Sequence, residues 1–108
     1  MITRFGLIKR NASLSHEQFD RHWRDVHGPL AAGLSGLRAY FQHTVQARGE
    51  HPILGTWDLD GISELHFDTR DTMTAAFTSS AGVEARHDLG EFLADARMIV
   101  CELSLIHI

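Results

Sequence analysis

The chain has 108 residues, 44% hydrophobic and 22% charged, which suits one soluble domain spanning 1–108 with its own core. The formal net charge of −4 offers no basic stripe for phosphates, so nucleic acid is not an expected partner. No apolar run reaches membrane-span length, no secretory-type segment opens the chain, and the single cysteine, Cys101, excludes an intramolecular disulfide framework, so the expected location is cytoplasmic.

Residues 2–10 carry Phe5, Leu7 and Ile8 and read as a strand. Asn11 to Leu14 form a turn. A helix is expected over about 15–27. Ser15 with Gln18 three residues on is a capping box, and Leu14 can staple onto Phe19. Phe19, Trp23 and Val26 fall at i, i+4 and i+7, a single apolar stripe. Gly28 suits the residue past the last turn, and Pro29 does not continue a hydrogen-bond ladder. A short helical turn over 29–33 is the most that follows. Residues 37–46 read as a second strand, 47–58 as an irregular loop with Gly49, Pro52 and Gly55, and 61–68 as a third strand. Asp68 or Thr69 caps the next helix, where Met73, Ala76 and Phe77 share a face. Ser79, Ser80 and Gly82 interrupt it, and Ala85, Leu89 and Phe92 line a further helical face. Residues 97–107 form a last strand.

The order β-α-β-β-α-β defines an α+β, ferredoxin-like fold: an antiparallel sheet with its helices on one face. The first and last strands carry apolar residues on both parities, where a sheet with one wet face would alternate. The face that the helices leave bare therefore calls for a second copy of the same sheet, and a homodimer is expected.

His27 is the leading candidate for chemistry. At the margin of the Phe19–Trp23–Val26 stripe and in a last helical turn, it is half sheltered and lies where the helix dipole favours positive charge. Such a histidine either caps the helix or acts as a general acid or base. A metal site is not expected. His16, His22 and His27 are spaced six and five apart, not at the i, i+4 interval of helical zinc ligands. No glycine-rich phosphate loop, nucleophile elbow or dinucleotide fingerprint is present, so no cofactor is expected. Cys101 reads as a small buried hydrophobe. On the second strand Tyr40, Gln42 and Thr44 point one way, and Phe41, His43 and Val45 the other.

Several of these residues also carry a resemblance. They are Lys9-Arg10; Ser15, Glu17 and Phe19; Trp23-Arg24; His27-Gly28-Pro29-Leu30; Gly36-Leu37-Arg38 with Tyr40; and Asp60-Gly61-Ile62 with Glu64-Leu65 and Phe67-Asp68. In these pieces the chain resembles the EthD-like family of the dimeric α+β barrel superfamily, and is similar to methylmuconolactone methylisomerase and small polyketide cyclases. The spacing from Phe19 through Trp23 to His-Gly-Pro is the specific part. The resemblance implies a homodimer of face-to-face sheets, with a cleft between sheet and helices in each protomer. In the methylisomerase-like members the active-site groups are a histidine ending the first helix, a tyrosine opening the second strand and a cysteine on the third. His27 and Tyr40 match the first two, and Leu65 stands at the third, which argues against thiol-assisted isomerisation. Many EthD-like chains carry a histidine and an asparagine near Gln42, where this chain has His43 and Thr44.

The expected function is a small cofactor-independent enzyme performing isomerisation, cyclisation or dehydration on an apolar ring or polyketide-like carbonyl compound. His27 would move a proton and Tyr40 would donate a hydrogen bond to a developing enolate oxygen. Phe19, Trp23, Gln42, His43 and Leu65 are the candidate substrate contacts. Two alternatives stand beside this reading: a non-catalytic small-molecule-binding accessory protein, and a cofactor-free anthrone-type monooxygenase.

Overall fold

The computed structural model describes residues 1–46, 58–104 and 106. In chain order it holds strand β1 (Ile2–Arg10), helix α1 (His16–His22), a π-helical turn (Trp23–His27), helix α2 (Gly28–Ala32), strands β2 (Leu37–Thr44) and β3 (Gly61–Phe67), helices α3 (Arg70–Thr78) and α4 (Ser80–Phe92), and strand β4 (Leu93–Glu102). The strands form one antiparallel sheet in the order β2-β3-β1-β4. This is the expected α+β, ferredoxin-like fold. No helix of the described residues is long and apolar enough to cross a membrane.

Local chemistry accounts for the element boundaries. The Ser15 side chain accepts from the Gln18 backbone N–H while Gln18 returns a bond to the Ser15 N–H, which satisfies two orphan donors at the start of α1. Thr69 caps α3 through the Thr72 N–H. Ser79 ends α3 and caps α4 through the Gly82 N–H. Gly36 enters β2 at φ +80°, a conformation that disfavours any side chain.

The last strand differs from expectation. It begins at Leu93 because α4 stops at Phe92, and Leu93 takes an extended conformation that pairs it with Arg10. The pairing ends at Glu102. The expected loop over 47–58 lies, apart from Asp58, outside the described residues, as do Leu105, His107 and Ile108.

The first helix departs more. Beyond His22 the ladder widens, so that the Gly28 N–H bonds the Trp23 carbonyl five residues back. A π turn advances fewer degrees per residue than an α turn, so it fits one more residue into the same rotation. The buried series therefore runs Phe19, Trp23, His27, and Val26 is turned out, 47% exposed. The helix does not stop at Gly28 either. Gly28 stays in right-handed helical geometry and Pro29 sits in the first turn of α2, where a missing N–H is tolerated.

Registration divides the sheet into two faces. Tyr40, Leu65 and Arg4 form one cross-strand row, Gln42, Ser63, Gly6 and Met98 the next, and Gly61 and Ile8 a third, all under the helices. The opposite face carries Phe41, Glu64, Phe5 and Ile99 in one row, flanked by His66, Thr3 and Cys101. Beneath the helices, Ile8, Phe19, Trp23, Phe92 and Leu93 form one core cluster, and Leu34, Leu65, Phe67, Met73 and Ala76 a second.

Candidate active site

Between the two clusters lies a mostly apolar cleft that encloses about 40 Å³ and opens to solvent, whose walls include Arg4, Trp23, His27, Tyr40, Leu65 and Arg86. Its depth depends on a bare backbone position. A Cβ on Gly61 would come within 2.6 Å of the Trp23 ring, so glycine lets the indole pack directly on the β3 backbone while it lines the cleft.

His27 is buried yet reaches this cleft. The π turn brings its ring against Phe92, at 5.2 Å between centroids. Its Nδ1 lies 2.9 Å from Asp88 Oδ2. A carboxylate only accepts, so Nδ1 carries the proton and Nε2 of the neutral ring is left as the basic atom. Asp88, on α4, is itself buried. It also accepts from His22 Nε2, 3.1 Å from Oδ1, and the His22 ring stacks on Phe92 at 4.7 Å. The carboxylate is thus held by two imidazoles over one phenyl ring. Burial pushes the His27 pKa below its ordinary value; the Asp88 hydrogen bond and charge oppose that, and the nearby His22 adds to it. With the helix continuing to Ala32, His27 does not end it, and burial rather than a terminal dipole sets its protonation.

Tyr40, opening β2, lines the cleft beside His27. Its hydroxyl accepts from Gln42 Nε2 at 2.8 Å, which leaves the phenolic proton to be donated elsewhere. Burial raises its pKa, opposed by hydrogen bonding to Gln42 and Trp23, so the donor form persists at neutral pH. The same Gln42 nitrogen donates to the Trp23 carbonyl at 2.8 Å, the carbonyl around which the π turn opens.

Of the residues expected at the site, His27, Tyr40, Trp23 and Leu65 meet in the cleft. Gln42 stands behind Tyr40 and faces a shallower groove with Arg24, Gly28 and Pro29. Phe19 does not reach the cleft. It is 1% exposed and packs between Trp23 and Phe92. His43 is a correction of the same kind: strand alternation puts it on the opposite sheet face, where its Nε2 meets Glu64 Oε1 at 2.9 Å. Asp88 is the group that the spacing argument did not single out. Its one sign in the sequence is its position, three residues past Ala85 and four before Phe92, which sets a carboxylate on an apolar helical face. Among the described residues no group of His, Cys, Asp and Glu side chains is arranged to hold a metal ion.

The fold and this cleft define a ferredoxin-like α+β protein with a pocket between sheet and helices. Residues 11–96 match the model of the EthD domain, and the chain belongs to that family. A solved EthD family protein from Bacillus halodurans aligns at 20% identity with a TM-score of 0.80, covering 96% of this chain and 99% of that one. A dimeric ferredoxin-like protein of unknown function from Bacteroides fragilis aligns at 16% identity and TM-score 0.70, covering 94% and 95%. A protein described as a putative antibiotic biosynthesis monooxygenase, from Deinococcus radiodurans, aligns at 15% and TM-score 0.71, covering 100% and 98%. Among curated proteins none matches.

Proposed function

We propose that the protein is a small cofactor-independent enzyme that moves a proton on a ring or polyketide-like carbonyl compound, in an isomerisation, cyclisation or dehydration. One observation carries this reading: a cleft-facing histidine, backed by a buried carboxylate, beside a tyrosine whose hydroxyl has its acceptor side occupied. His27 Nε2 takes the proton from carbon next to the carbonyl. The Tyr40 O–H donates to the oxygen on which enolate charge develops. Asp88 fixes the His27 tautomer and steadies the imidazolium that forms. The apolar walls exclude water from the intermediate.

We also propose that the working unit is a homodimer through the bare sheet face, where Phe41, Ile99 and Leu103 are each about half exposed.

The chemistry is tested by deuterium incorporation from solvent into the carbon next to the carbonyl of 2-tetralone, followed by NMR. Wild type is expected to accelerate exchange, and His27→Gln to lose about 10²–10⁴-fold of that rate, the usual contribution of a general base. Exchange at the wild-type rate in His27→Gln, with its fold intact by circular dichroism, would remove His27 from the mechanism. Saturable binding of 2-tetralone without exchange in wild type would favour a binding protein.

A further inference from the structure

The cleft holds a feature that proton transfer does not use. Arg4, on the central strand β1, lies on its floor, and Arg86 from α4 lies on its wall. Arg21, Arg24, Arg38 and Arg97 each sit on a carboxylate. Among the described residues Arg4 and Arg86 have no hydrogen-bond acceptor and no counter-ion. The Arg4 guanidinium lies 3.9 Å over the Phe77 ring, a contact that holds the plane of the group and leaves its five N–H donors unspent. It is half-buried, and both burial and the like charge of Arg86 press its pKa down. The half-buried Arg4 and the exposed Arg86 repel each other at the cleft, and an anion placed between them would relieve that repulsion. Arg4 shares its cross-strand row with Tyr40, two strands away across Leu65, so the guanidinium and the phenol stand at opposite sides of the cleft, roughly 10 Å apart at the backbone.

We propose that Arg4 and Arg86 bind an anionic group of the substrate, and that this substrate is a ring compound bearing a carboxylate. The assignment rests on the proton-transfer reading for what happens at the other side of the cleft. A planar guanidinium pairs with a carboxylate through two parallel N–H···O bonds. Beyond the arginines, the walls are mostly apolar, with Ile8, Leu34, Ala85 and Leu89, and the Ser63 hydroxyl is one further donor, fewer than a doubly charged phosphate uses. The arginines thereby orient the ring: with its carboxylate on Arg4, its far edge lies against Tyr40 and His27. They select acids over neutral analogues of the same shape.

The test is calorimetric titration with 2-naphthoate, 2-naphthamide and 2-naphthyl phosphate, for wild type, Arg86→Gln, Arg4→Gln, Arg4→Lys and His27→Gln. Wild type is expected to bind the acid about 10–100-fold more tightly than the amide, the range of a charge-assisted bond. Arg86→Gln, at an exposed position, is expected to fold and to lose most of that preference. Arg4→Gln should abolish it, and Arg4→Lys should keep the charge preference at lower affinity. Equal affinity for acid and amide, no saturable binding of either, tighter binding of the phosphate, or a preference that survives both glutamine variants would each overturn the proposal. His27→Gln is expected to keep the preference in full. Binding therefore reports on the arginines alone, and its failure would leave the exchange experiment on 2-tetralone to judge His27 separately.

Discussion

At the scale of the residue, protonation of His27 ties stability and activity to pH with a defined sign. Its folded pKa lies below the ordinary 6.5. Between the two values the unfolded chain binds more protons than the folded one, so stability rises with pH there. The contribution is complete above 6.5 and is lost as pH falls from 6.5 toward the folded value. Urea midpoints between pH 7 and pH 5 are expected to decline less in His27→Gln than in wild type. The exchange reaction should be at its plateau above pH 6.5 and fall on the acid side as Nε2 is protonated. Asp88→Asn makes a sharper forecast. The carboxylate raises the His27 pKa against desolvation, so its loss should move the acid limb to lower pH while the plateau rate drops. A residue that merely packs would change stability without moving the limb. The same variant leaves two imidazoles facing an amide, and a cost of about 1–3 kcal/mol in denaturation is expected.

At the scale of the element, the π turn decides which side chain the cleft receives. If Val26 were inward, as regular helical spacing has it, replacing it would cost core stability. Because it is half exposed, Val26→Ser is expected to stay within about 0.5 kcal/mol of wild type, whereas Trp23→Ala, one turn earlier and 2% exposed, should cost about 3–5 kcal/mol. Urea denaturation of the two variants checks both. This contrast marks the limit of what the sequence discloses. The capping box at Ser15, the Thr69 cap and the Ser79 break are local, and each is legible because the residues that make it are neighbours. Strand parity is local too, and it correctly parts Tyr40 from His43. The π turn is not local. Gln42 reaches its carbonyl from a strand, and Asp88 holds its histidine from the last helix. Asp88 itself is hidden in plain spacing, since a carboxylate among Ala85, Leu89 and Phe92 gains meaning only once two imidazoles are known to meet it.

At the scale of the whole molecule, the face away from the helices carries an apolar row around a polar centre at Glu64, with Lys9, Asp95 and Arg97 charged toward one end. Glu64 accepts from His43 at 2.9 Å and from His66 at 2.6 Å, and His66 in turn reaches Thr3 at 3.2 Å. Hydrogen bonds from the two histidines hold the Glu64 carboxyl below its ordinary range. Its contribution is therefore present above about pH 4.5 and lost as pH falls through the folded value. Phe5, Phe41 and Ile99 share the Glu64 row. A dimer closing over this face would bury on the order of 2,000 Å². Sedimentation at micromolar concentration is expected to give a dimer. Leu103→Asp or Ile99→Asp should give aggregation or unfolding rather than a stable monomer, and a well-folded wild-type monomer would refute the pairing of sheets.

A last consequence belongs to the single nitrogen of Gln42. A primary amide is planar and its two N–H bonds diverge at a fixed angle, so the two oxygens it serves are held at a set span, roughly 5 Å with bonds of this length. One of those oxygens is the Tyr40 hydroxyl, and the other is the Trp23 carbonyl at the head of the turn that ends in His27. The amide works as a caliper between strand and helix. The Tyr40 hydroxyl and the turn that ends in His27 are thereby tied to one rigid group, so in the proposed reaction the spacing of donor and base would follow that amide rather than the walls around it.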